Sequence, residues 1–66
     1  MTRFEYAVIK AAFFGGYEIQ YRDRIEKVKG EITGLLNMLG ESGWELVSIS
    51  FDQIGMIKKF FLKRTV

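Results

Sequence analysis

Tyr17-Glu18-Ile19-Gln20-Tyr21-Arg22-Asp23, continuing as "RIEKVKGEITGLLNMLG" from Arg24 to Gly40, is the stretch whose reading decides the fold. Tyr17, Ile19 and Tyr21 alternate with polar residues, as in an edge strand, but the same residues also suit an extended lead-in to a helix. From Asp23 the period changes. Ile25, Val28, Ile32, Leu35, Leu36 and Leu39 fall at steps of three and four, one apolar stripe on a helix. Asp23 fits an N-cap, and Glu26 stands three residues later, where a capping-box partner belongs. This spacing predicts a helix starting at Asp23, with 17–23 as its connection. Gly30 and Gly34 then lie inside the helix, each costing about 1 kcal/mol relative to alanine. Spaced by four, they share a face that would admit a neighbouring backbone or a helix–helix contact between two copies. Gly40 or Gly43 ends the helix in a left-handed cap.

Outward from this stretch the period is two. Residues 3–14, "RFEYAVIKAAFF", put Phe4, Tyr6 and Val8 on one parity and Ala7, Ile9, Ala11 and Phe13 on the other, and Gly15-Gly16 ends the strand. Residues 44–51, "WELVSISF", alternate Val47, Ile49 and Phe51 with Trp44, Leu46, Ser48 and Ser50. Asp52 to Gly55 is a turn of hairpin length, and residues 56–64, "MIKKFFLKR", form the last strand. The expected fold is α+β with the order β-α-β-β: a three-stranded antiparallel sheet, one helix packed on one face, and a single domain over 1–66. One helix covers one face of a sheet. The other keeps apolar side chains that monomers seldom expose, which predicts a partner surface and, most simply, a homo-oligomer.

Composition supports that expectation. A chain of 66 residues buries only roughly 60% of its unfolded surface, yet 48% of its residues are hydrophobic and 15% aromatic. It has no cysteine and no histidine, so disulfides and thiolate or imidazole metal sites are excluded. Ten basic residues against eight acidic ones give a formal charge of +2, too mild to point to nucleic acid by itself. No apolar run reaches membrane-span length and the N-terminus lacks a signal-peptide layout. The expected location is cytoplasmic, with no membrane partner.

Little here carries catalysis. Glu41 and Glu45 flank Gly43-Trp44 and Asp52 follows the strand, but nothing fixes the three into one cleft. Ser42, Ser48 and Ser50 have no histidine to activate them. The expectation is a non-enzyme with no catalytic, cofactor-binding or metal-binding residues. Phe13-Phe14-Gly15-Gly16 lacks the features of a phosphate loop and reads as a turn. Lys58, Lys59, Lys63 and Arg64 surround Phe60-Phe61 and are the candidate ligand-binding residues, for nucleic acid or a nucleotide. Alternation weakens that case, because Lys58 and Arg64 project from one face and Lys59 and Lys63 from the other; the same charges also serve solubility. Trp44, directly after the turn, reads as the fold anchor pinning helix to sheet, with an aromatic ligand platform as the alternative.

The runs "LLNMLGESGWELVSIS" and "KKFFLKR", with "FEYAVIKAAFFGG" ahead of them, resemble the small bacterial and phage proteins catalogued as domain of unknown function 4177. The Asn37-to-Val47 block, with Gly-Trp-Glu-Leu-Val, is the most specific part. The stretch 17–30 departs from the family, being longer and more charged. The resemblance implies a β-α-β-β fold and supplies no activity or ligand. It also suggests a phage-type inhibitor or sequestering protein with a host protein partner, beside the readings of a self-associating binding module, a nucleic-acid binder and a purely structural subunit.

Overall fold

The stretch 17–28 folds back on itself as a hairpin and contributes no helix. The structure, a computed structural model, describes residues 2–12 and 15–66, Ile57 by its backbone alone. The described elements are β1 (Phe4–Ala11), β2 (Tyr17–Gln20), β3 (Ile25–Val28), α1 (Ile32–Glu41), β4 (Glu45–Phe51) and β5 (Ile57–Thr65). They form a five-stranded antiparallel sheet in the order β3-β2-β1-β5-β4. The expected three-stranded sheet is therefore corrected to five strands, within the same small α+β class.

The correction has a physical cause. Ile25 and Val28 are three apart, which fits a helical stripe, but along a strand that spacing sends two side chains to opposite faces. Ile25 lies opposite Gln20 and Val28 opposite Tyr17. Asp23 is no N-cap: it sits in the loop closed by the Tyr21 N–H donating to the Arg24 carbonyl at 2.8 Å. Glu26 accepts from the Arg24 Nε at 3.0 Å. The helix start is enforced by Gly30, whose φ of 123° is closed to a residue with a side chain. Glu31 holds the N-cap position without a side-chain cap. The Gly30–Gly34 strip does not exist as a helical face, and a methyl group added at Gly34 would meet nothing within 4 Å.

The helix ends as a Schellman motif. The Trp44 N–H donates to the Leu39 carbonyl and the Gly43 N–H to the Gly40 carbonyl, both at 3.0 Å, with Gly43 at φ 92°. Trp44 and Leu39, the two positions that make the motif's apolar contact, are both buried. The parity of Ala7 and Ile9 faces the helix, and with Ile19, Leu35, Leu39, Trp44 and Leu62 it forms the core. In β4 the simple alternation fails, because an irregularity between Leu46 and Ser48 leaves Val47 unpaired. Leu46 and Ile49 consequently share the helix side, while Ser48 and Ser50 share the other. The notion of a Phe13-Phe14 turn falls on positions outside the described residues.

Candidate functional site

No described element packs against the face opposite α1. Strand register sets out what it carries, because directly paired residues of an antiparallel sheet project to the same side. One row runs Ile25, Gln20, Val8, Phe61, Ser48. The next, toward the β4–β5 turn, runs Lys27, Glu18, Lys10, Lys59, Ser50. On the other side lie Tyr6, Lys63 and Glu45, then Phe4 and Thr65. Tyr6 is 61% exposed, Ile25 58% and Phe4 43%, while Val8 and Phe61 are half-buried. The Lys63 Nζ lies over the Phe4 ring, 4.7 Å from its centroid. Lys10 approaches Glu18 at 3.7 Å.

This face gathers four lysines against two glutamates. The whole chain has ten basic and eight acidic residues. Among the strand-paired residues of the uncovered face, positive charge is therefore in excess by two, the size of the whole chain's formal charge.

The four basic residues singled out from the sequence do not converge. Lys59 and Lys63 belong to this face. Arg64 points to the helix side, where its Nε donates to the Glu5 carboxylate and its guanidinium lies 4.5 Å from the centre of the Trp44 ring. Lys58 lies beside the β4–β5 turn, lining a shallow cleft with Asp52, Lys10 and Lys59, so it meets Lys59 at that edge but not Lys63 or Arg64. The residues that complete the basic face, Lys10 and Lys27, come from β1 and β3, and the aromatic ones, Phe4 and Tyr6, from β1. Their parity was readable in β1, but only the register of the unforeseen β2–β3 hairpin brings Lys27 into the row.

Trp44 has a structural environment. It is 7% exposed, with the Tyr21 ring 5.9 Å away, and Arg64 also reaches the Ser42 carbonyl at 3.4 Å. Burial first, then the Glu26 carboxylate, pushes the Tyr21 phenol above its ordinary range; Arg24, stacked 4.2 Å from the Tyr21 ring centre, and Arg64 oppose that.

The carboxylates considered for acid–base work lie apart. Glu41 ends α1, and Glu45 pairs across the strand with Lys63 on the uncovered face. Asp52 accepts the Ile54 and Met56 N–H groups at 3.0 Å each, closing the β4–β5 turn. Among the described residues no three acidic side chains gather as a metal site, and no helix is long and apolar enough to cross a membrane. No protein-family model, curated protein or solved structure matches this chain.

Proposed function

We propose that this protein is a non-enzymatic binding module whose working surface is the uncovered sheet face. The observation that carries the reading is the combination on that face of solvent-facing rings, Phe4 and Tyr6, with four lysines. Single exposed apolar residues are ordinary, but a contiguous apolar strip rimmed by charge is the common form of an interaction surface. The test is capture from host lysate with wild-type and Tyr6→Ala baits, read by mass spectrometry. A partner held by the wild type and lost by the variant supports the reading. Identical captures contradict it.

Self-association is a second reading, favoured by a different part of the molecule. β4 is an outer strand with no charged residue from Leu46 to Phe51, and Phe51, Ile54 and Met56 are 56%, 83% and 62% exposed at its end. Light scattering at micromolar concentration should then give a mass above the monomer, reduced by Phe51→Lys. A monomer at high concentration removes this reading.

A further inference from the structure

We infer that the occupant of the uncovered face is single-stranded nucleic acid, stacked on the aromatic residues with its phosphates along the lysine rows. This inference rests on the binding-module reading and names its partner.

The arrangement of the face selects among occupants. Phe4, Tyr6 and Val8 follow one another along β1 at roughly 7 Å per step, with Phe61 directly beside Val8 on β5. The Phe4 and Tyr6 rings, at that interval, each offer a surface to a separate base, with the half-buried Phe61 ring beside Val8 as the third. Sequence-tolerant recognition of single strands uses this means, base on aromatic ring over a basic groove. The lysines stand where the phosphates of such a strand would run. Lys10, Lys27 and Lys59 stand in the row on one side of Val8 and Phe61, with Glu18 between Lys27 and Lys10 and paired to Lys10 at 3.7 Å; Lys63 stands on the other side, opposite Glu45 and over the Phe4 ring. Gln20, Ser48, Ser50 and Thr65 on the same face supply neutral hydrogen-bonding groups to base edges.

A second copy fits this face less well. Two such faces opposed would set four lysines and two glutamates against the same set, and the net like charge of the two faces disfavours that partner. Duplex DNA would engage the lysines but leave the rings unused, since its bases are already stacked. The chemistry that uses both halves of the face is an anionic chain with free aromatic planes.

The experiment is fluorescence anisotropy with a labelled oligothymidylate of about twelve nucleotides, long enough for one small single-strand site. Binding should appear at low salt and weaken as salt rises. The slope of log K against log salt should be near −2 to −3 if three or four phosphates are neutralised, at about −0.7 each. Tyr6→Ala, at an exposed position that leaves the core intact, should weaken binding by about 5- to 150-fold, the range for loss of one stacked base. Lys59→Gln should reduce the slope by about 0.7. Arg24→Gln, the same change of charge on the helix side, should leave the slope unchanged. The inference is overturned by absence of binding at low salt, by equal affinity for a duplex of the same length, or by Tyr6→Ala binding like the wild type. Light scattering on the same samples separates the two levels. An oligomer that Tyr6→Lys dissociates, in a protein that does not bind the oligonucleotide, keeps the face as working surface and makes a second copy its occupant. If neither readout responds to Tyr6 and the Tyr6→Ala bait captures what the wild type captures, the binding-module reading falls as well.

Discussion

Replacing Trp44 by alanine tests whether the Schellman turn and its ring hold the helix to the sheet. Trp44 is 7% exposed and belongs to the buried core with Leu39, Ile19 and Leu62. Truncating a buried aromatic ring to alanine costs about 3–5 kcal/mol. Loss of the tilted Tyr21 contact, at 5.9 Å between centroids, adds roughly 0.5–1.5 kcal/mol. Loss of the Arg64 contact, 4.5 Å from the ring centre, adds roughly another 0.5–1 kcal/mol. The sum is about 4–7.5 kcal/mol, against a total stability of about 3–10 kcal/mol for a chain this long. With a urea dependence near 1 kcal/mol per molar, the midpoint should fall by about 4 M or more, leaving the variant partly or wholly unfolded in water. Urea titration followed by far-UV circular dichroism reads this without needing the lost indole. Trp44→Phe, which keeps a ring at the site, should recover part of the difference. A Trp44→Ala midpoint within about 1 M of the wild type would refute the reasoning and return the ring to the role of an exposed platform.

Other substitutions probe single links of the account by the same titration. Gly43→Ala, forced into φ 92°, should destabilise by about 1–2 kcal/mol, whereas Gly34→Ala, inside α1 with open space around it, should stabilise by about 0.5–1 kcal/mol. Arg64→Ala removes both the Glu5 ion pair and the Trp44 contact and should cost about 1–2 kcal/mol, while Glu5→Gln, which leaves the ring contact, should cost less than about 1 kcal/mol. The Tyr21 phenol is raised by burial and by Glu26, so the folded state holds its proton more tightly than the unfolded chain. That stability is present below the ordinary tyrosine value and is lost as pH rises through the raised one. The urea midpoint of the wild type should therefore fall more than that of Tyr21→Phe between about pH 9 and pH 11; parallel declines would contradict the assignment.

Legibility differed along the chain for identifiable reasons. The strands at 4–11, 45–51 and 57–65 announce themselves because each is a run of seven residues or more rich in β-branched and aromatic types, bounded by glycine. Gly43-Trp44 was readable because a helix cap needs a left-handed residue and an apolar one after it. β2 and β3 were not, for each has four residues. At that length Ile25 and Val28 satisfy a helical step as well as a strand that uses both its faces. Gly30 was the available signal: in mid-helix it is a cost, at φ 123° it is a boundary. The basic face was hidden for the same reason. Lys58, Lys59, Lys63 and Arg64 are neighbours in sequence, but pairing assembles Lys10, Lys27, Lys59 and Lys63 instead.

The claim that single-stranded nucleic acid occupies the uncovered sheet face is tested most directly by mapping amide chemical shifts during titration with single-stranded oligothymidylate. The account predicts shifts centred on Phe4, Tyr6, Val8, Phe61 and Lys63, with α1 (Ile32–Glu41) unaffected. Shifts confined to α1 and the Gly43–Trp44 turn, or no shifts at any concentration, would contradict it.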